Sequence, residues 1–235
     1  MLATGAQAIS PGAEITNTHI IEKGKIIMSL ENVKDLVTRG KAKLIPAAVA
    51  GAIEEGCAAE DVLNTMIGAM DVVGERFKNG EIFVPEMLIA AKAMKKGVEV
   101  LKPHLASGAA GALGKVVIGT VAGDLHDIGK NLVAMMIESA GFEVVDLGVD
   151  VPVEKFVAAA GEEGVKIVAC SALLTTTMPA LQATVAALNG LANRASFKVM
   201  VGGAPITQEF ADSVGADAYT TDAASAAKKA KELVA

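Results

Sequence analysis

Aromatic side chains are scarce in this chain: 3% of its 235 residues, with no tryptophan, one tyrosine and six phenylalanines. That leaves no material for a surface that stacks the bases of single-stranded nucleic acid. An excess of basic residues is also missing. Lys and Arg number 21 against 27 Asp and Glu, a net charge of −6 that argues against any nucleic-acid footprint. There are only two cysteines, Cys57 and Cys170, far apart and in no CxxC pair. They provide no disulfide framework and fit a reducing compartment. Cys170 lies in an apolar run and reads as a buried, inert thiol. No uninterrupted apolar stretch approaches the roughly 18 residues of a membrane span. Met1 to Ala13 lacks the basic and apolar regions of a signal peptide, so the cytoplasm is the expected location.

What the chain does have is small and aliphatic. Hydrophobic residues make up 52% and charged residues 20%, enough for a packed core built on Ala, Val, Ile, Leu and Met. Residues 1–27 read as an N-terminal extension. Residues 28–105 read as all-helical, with Ser29 as a candidate N-cap ahead of Val33, Leu36 and Val37. Three further helices are expected at 45–53, 60–77 and from Val84 to about Lys102, with Pro85 in the first turn of the last. Four helices with short connections predict an antiparallel bundle. The Gly- and Ala-rich stretch 106–114 reads as a linker. From 115 to 235 the pattern becomes strand and helix in alternation. Strands are expected at 116–121, 144–149, 167–172, 198–201 and 218–220, with helices between them. Such alternation predicts an α/β domain with a five-stranded parallel sheet covered on both faces, in a flavodoxin-like (Rossmann-type) order. Lys228, Lys229 and Lys231 near the end read as a solvated helix face.

The chain has three histidines, and His126 is the one placed for chemistry. It sits in Asp124-Leu125-His126-Asp127-Ile128-Gly129-Lys130-Asn131, between the first strand and the helix that follows. In an open α/β sheet that is where ligands bind. Asp124 can take the proton of one ring nitrogen while the other nitrogen meets a metal. His19 and His104 read as solvated. Two more irregular segments fall at strand ends: Ser171 to Thr177 after the third strand, and Gly202-Gly203 after the fourth. In the expected order all three segments line one crevice. Gly202 and Gly203 let backbone approach a ligand closely, and Ser171, Thr175 and Thr177 offer hydroxyls. A phosphate loop is the competing reading, but Gly123 and Gly129 enclose five residues where such a loop needs four, and Asn131 follows Lys130 where it needs Ser or Thr.

The ordered set Asp124-x-His126-x-x-Gly129, then Ser171-x-Leu173, then Gly202-Gly203, resembles the signature of base-off, His-on cobalamin-binding domains. In the helical half, the run from Phe77 through Val84-Pro85-Glu86 to Leu88 is similar to the cap domain of methionine synthase and of methyltransferase corrinoid proteins. The likeness covers about residues 28–235.

The resemblance implies a cobalamin or related corrinoid as cofactor, with His126 as the lower cobalt ligand in place of the cofactor's own benzimidazole. It implies that Asp124 hydrogen-bonds that histidine. Thr177 stands where methionine synthase has a serine completing the relay, keeping the hydroxyl and adding a methyl. Ser171 and Thr175 match contacts to the displaced nucleotide tail and the ring edge, Gly202-Gly203 the place where the tail enters, and Ala223 a backbone contact near the last strand. Gly123, Leu125, Asp127, Gly129 and Leu173 belong to the same cofactor-binding set, although Asp127 equally suits a helix N-terminus. Phe77 and Val84 match cap positions over the reactive face; methionine synthase has Leu at the second. The implied function is a non-catalytic carrier that accepts a methyl group on cobalt from a substrate-specific methyltransferase and passes it to a second methyltransferase, with folate or thiol as acceptor. A reductive activase is a further implied partner; nucleic acid and membrane are not. The alternatives are a cobalamin-dependent sensor or regulator, and the cobalamin-binding subunit of an adenosylcobalamin mutase.

Overall fold

A computed structural model describes residues 17–105 and 113–235. Residues 1–16 of the expected extension and 106–112 of the expected linker lie outside this range. Four helices come first: α1 (Asn17–Thr38), α2 (Ile45–Glu54), α3 (Ala59–Lys78) and α4 (Val84–Leu101). The apolar stripe of α3 explains its central place. Val62, Met66, Met70 and Val73 are all buried, and α3 packs against both α1 and α4. The head of α4 is set by Pro85 and by Glu86, whose carboxylate takes the Phe83 amide at 3.1 Å.

The first helix corrects the reading of its start. It begins at Asn17, and Ser29 lies inside it rather than capping it. The Ser29 hydroxyl donates to the Lys25 carbonyl or to the Glu55 carboxylate at the end of α2. The apolar period runs on upstream of Ser29, with Ile26 and Leu30 packed against the same core as buried Val33 and Val37. Burial of that longer face outweighs the capping preference of one serine.

The second half alternates strand and helix: β1 (Lys115–Thr120), α5 (Ile128–Ser139), β2 (Glu143–Asp146), α6 (Val153–Ala160), β3 (Val165–Ser171), α7 (Met178–Asn189), β4 (Lys198–Gly202), α8 (Gln208–Val214), β5 (Ala218–Tyr219) and α9 (Ala223–Val234). All strands pair in parallel, in the order β2-β1-β3-β4-β5. Successive strand residues point to opposite faces. Val116 and Ile118 of β1 join the core shared with α5, α9 and the helical half, whereas Val117 joins Phe156, Leu181, Val185 and Leu188 of α6 and α7.

Strand β2 is shorter than expected, ending at Asp146 rather than 149. Gly148 at φ 89° and Asp150 at φ 50° break the extended backbone there. The Asp146 carboxylate takes the Gly148 amide at 2.9 Å, closing the turn.

The helical half rests on α5 and α9, which places the end of α3 above the C-terminal edge of the sheet. Lys231 meets Asp71 at 2.5 Å, Lys228 meets Glu75 at 3.9 Å and Lys95 meets Glu138 at 3.5 Å. Two of the C-terminal lysines expected to be simply solvated therefore bridge α9 to α3. Among the described residues no helix is long and apolar enough to cross a membrane.

One glycine of the site is fixed by geometry alone. Gly203 has φ 127°, and a Cβ there would lie 1.8 Å from the Ala172 carbonyl oxygen. Gly202 has open space around the same point. Gly203→Ala is expected to lower stability by about 3 kcal/mol, from strain plus overlap. Gly202→Ala is expected to stay within about 1 kcal/mol of the parent. Urea unfolding of the two variants checks the contrast.

Candidate functional site

The site is built from the turn that ends β1. Val121 still pairs with Ser171 through its amide at 3.0 Å, but Gly123 turns the chain at φ 80° and the Asp124 amide folds back onto the Val121 carbonyl at 3.1 Å. This turn drives the Asp124 side chain inward, where it is fully buried.

A buried carboxylate needs donors, and Asp124 has four. Its Oδ1 accepts the His126 amide at 3.0 Å and lies 2.8 Å from His126 Nδ1. Its Oδ2 accepts the Leu173 amide at 2.7 Å and the Thr177 hydroxyl at 2.8 Å. Burial by itself pushes the Asp124 carboxyl up. The hydrogen bonds from Leu173, His126 and Thr177 outweigh that and hold it well below the usual carboxylate range. Asp124 is therefore an anion that can only accept, so in the neutral His126 ring the proton belongs on Nδ1 and the lone pair on Nε2. The Thr177 oxygen is also 2.9 Å from the Leu174 carbonyl, but its single proton goes to the charged acceptor.

The His126 side chain is half-exposed and lines a cavity of about 600 Å³ at the C-terminal ends of the strands. Leu125, Asp127, Gly129, Ser171, Leu173, Gly202, Gly203 and Ala223 line the same cavity, and Phe77 reaches it from the end of α3. The remaining candidates do not line it. Gly123 is in the turn behind, while Asp124 and Thr177 are buried beneath the histidine. Thr175 is exposed on a short 3-10 turn ahead of α7. Val84 is exposed at the head of α4, away from the cavity lining. Asp127 takes the Asn131 side-chain amide at 3.0 Å across the first turn of α5.

Sequence reasoning passed over several residues here. Lys130 lines the cavity yet is buried, with Nζ 2.5 Å from Asp146 Oδ2. The sequence offers no sign of that pairing, since Asp146 is an ordinary strand-end acid. Asp222, also on the lining, caps α9 by accepting the Ser225 amide at 2.8 Å, a spacing that could have been read from Asp222-Ala-Ala-Ser225. Burial would raise the Asp222 carboxyl, but hydrogen bonds from Ser225 and Thr221 and the charge of Lys78 lower it overall. Cys170 borders the cavity, and burial pushes its thiol up to about 12. It stays protonated at neutral pH.

Among the described residues no group of three or more His, Cys, Asp or Glu side chains is arranged to hold a metal ion. One histidine alone holds a bare ion poorly. A metal bound at Nε2 must bring its other ligands with it, as in a metal-centred macrocycle. The rim suits such a partner: Leu125 and Ile128 are 71% and 85% exposed beside the histidine. Apolar groups that open to water mark a place where something apolar is covered.

The profile of a family described as the B12 binding domain matches residues 114–228, and a second of that description matches residues 29–102. The chain is 43% identical over 206 residues to dimethylamine corrinoid protein 2 of Methanosarcina mazei, covering 87% of this chain and 96% of the relative. Among solved structures it is similar to a cobalamin-binding protein from Desulfitobacterium hafniense, with a TM-score of 0.75, 34% identity, and 88% and 98% of the two chains covered. It is also similar to a chain of the methanol:cobalamin methyltransferase complex of Methanosarcina barkeri, with a TM-score of 0.75, 27% identity, and 96% and 94% covered.

The Asp124 web has a pH signature. Its folded-state pKa is depressed, so its stabilisation is complete above the unfolded value near 4 and is lost as pH falls toward the folded value. Asp124→Asn is expected to be less stable than the parent by a constant amount above about pH 5, with the gap closing below about pH 4. Urea midpoints measured from pH 7 to pH 3 check this; a gap that does not change with pH contradicts it.

Proposed function

The chain belongs to the family of B12-binding corrinoid proteins, and from that footing we propose that it carries a methyl group on a corrinoid cobalt between two separate methyltransferases. The observation that carries this reading is a histidine with its Nδ1 fixed on a buried anion, lining a large cavity with no cluster of three or more metal-binding side chains among the described residues.

The cavity residues fit a corrinoid. Gly203 lies flat against the Ala172 carbonyl, and a Cβ at Gly202 would meet nothing within 4 Å, so the backbone there leaves room for a ligand. Ser171 presents a half-buried hydroxyl on the same wall. When bound, the cofactor supplies a cobalt that takes up and gives away the methyl group. His126 is the residue that would hold the cobalt, through Nε2. Asp124 keeps the Nδ1 proton in place and steadies the ring when coordination draws electron density from it. Thr177 keeps Asp124 ionised by donating to its far oxygen. Phe77, half-buried at the end of α3, stands where it would shield the face away from His126.

The regulator alternative has nothing to support it: the net charge is −6, and both matched segments are of the B12-binding kind. The mutase alternative does not account for the helical half, which the second profile covers. Donor choice belongs to the partner methyltransferase, and the relative named for dimethylamine makes methylated amines the first donors to try. A folate- or thiol-methylating enzyme as acceptor and a reductive activase complete the set of partners. The two cysteines, both free and buried, suit the cytoplasm.

Two outcomes test the proposal. Protein reconstituted with methylcobalamin is expected to keep the chromophore through gel filtration with a histidine-ligated spectrum. His126→Ala is expected to lose that ligation, and an unchanged visible spectrum refutes the ligand assignment. In the reduced state, methylation of the bound cobalt by mono-, di- or trimethylamine or methanol is expected only when the matching methyltransferase is added. Equal rates without any partner contradict the carrier role.

A further inference from the structure

The loop that carries His126 has a neighbour on each side, because β1 lies between β2 and β3 in the sheet. On the β3 side Asp124 ties it to Leu173 and Thr177. On the β2 side the connection from Asp146 to Val151 holds it at several points that the account above leaves unused. Asp150 accepts the Gly123 amide on its Oδ1 at 2.7 Å, and its own amide donates to the Asp124 carbonyl at 2.9 Å. Thr120 donates its amide to the Gly148 carbonyl at 3.0 Å and its hydroxyl to the His126 carbonyl at 2.9 Å. Asp150 does this at φ 50°, as the one non-glycine residue with positive φ among those described. A strained residue persists where its surroundings over-determine it.

The other end of the loop is tied to the same connection. Lys130, in the first turn of α5, is 4% exposed. Its Nζ donates to Asp146 Oδ2 at 2.5 Å and to Asn131 Oδ1 at 2.7 Å. The second Asp146 oxygen takes the Gly148 amide at 2.9 Å. Asn131 in turn reaches Asp127, next to the histidine, at 3.0 Å. A lysine is rarely this buried without a specific partner, and the pair joins the start of α5 to the end of β2.

We propose that Lys130 and Asp150 are positioning residues for His126, clamping the two ends of its loop to the β2–α6 connection and so fixing the direction of Nε2. The inference rests on His126 being the metal ligand. Neither residue touches the imidazole. Their effect passes through the backbone at Gly123 and at the first turn of α5.

The substitutions isolate this effect. Lys130→Met keeps the buried chain and removes only the ammonium, and the partly exposed Asp146 side chain returns to water. Asp150→Gly removes the acceptor while relieving the positive φ, so any loss it causes is not strain. Asp150→Asn keeps an acceptor at the same place. The first readout uses the full chain without cofactor: side-chain nitrogen NMR of the three histidines, with His126→Ala assigning one of them. Wild type and Asp150→Asn are expected to show a single Nδ1–H tautomer at His126, whereas Lys130→Met and Asp150→Gly show a mixture. The second readout is the visible spectrum after cobalamin is added. The ratio of histidine-ligated to unligated cofactor is expected to fall about tenfold in Lys130→Met and Asp150→Gly, and Lys130→Arg is expected to recover part of it.

The proposal is overturned if both Lys130→Met and Asp150→Gly keep the wild-type tautomer and spectrum, or if Asp150→Asn loses as much as Asp150→Gly. Should Lys130→Met not fold, the Asp150 pair on the surface loop decides. A wild-type spectrum indifferent to His126→Ala removes the ligand reading, and this inference with it.

Discussion

Everything at the site depends on keeping one carboxylate charged while burying it. An isolated anion in this position would be costly, and Asp124 is tolerable only because two donors meet each of its oxygens. Those donors come from residues 126, 173 and 177. Satisfying Asp124 therefore brings the ligand, the β3 loop and the approach to α7 into one place. The same bonds fix the protonation pattern of the imidazole. A carboxylate with only acceptor capacity has just one use for Nδ1, and that leaves Nε2 as the reactive nitrogen.

The lack of a three-ligand metal cluster among the described residues then shapes what can be bound. No other set of metal-binding side chains accompanies His126 among the described residues, and the buried Cys170 thiol stays protonated. The protein offers one fixed imidazole and a glycine-lined wall, and His126 would hold the metal of a bound corrinoid. Any further coordination would have to come from the bound group itself. Gly203 marks how closely the wall is drawn: the space of its missing side chain is taken by the carbonyl of Ala172, just past the end of β3.

Much of this was legible because it is local or periodic. Apolar runs alternating with helix-like segments set the parallel sheet and its order, and strand ends carrying Asp124-x-His126, Ser171-x-Leu173 and Gly202-Gly203 had to gather at one edge. The unread part is long-range. Asp146 and Lys130 are unremarkable in sequence and meet only because β2 lies beside β1. Asp150 takes up its positive φ because Gly123 and Asp124 hold it there, and no local preference announces that. Ser29 was misread for the complementary reason: a good capping residue in sequence was overruled by a helix face that continues past it. Val84 is not among the residues lining the cavity that Phe77 reaches, although the two flank the same connection between α3 and α4.

Two kinds of interaction stabilise the two parts of the molecule. The Asp124 web is buried, and its parts lose much if one is removed. The seam between the helical half and the sheet is of another kind. Its ion pairs, Lys228–Glu75 and Lys95–Glu138, are exposed on both sides, and Lys231–Asp71 on one. Such pairs contribute about 1 kcal/mol or less each and weaken with salt. Beneath them the contact is a continuous apolar core: a Cβ at Gly74 would stand 3.3 Å from Ala224 Cβ and 3.4 Å from Met136 Cε, and Met70, Val73 and Ile137 are buried in the same cluster. Phe77, at the end of the helix that this seam holds down, stands over the cavity mouth. The fold thus holds the Asp124 web by buried hydrogen bonds and the seam by apolar burial, with ion pairs only at its edge.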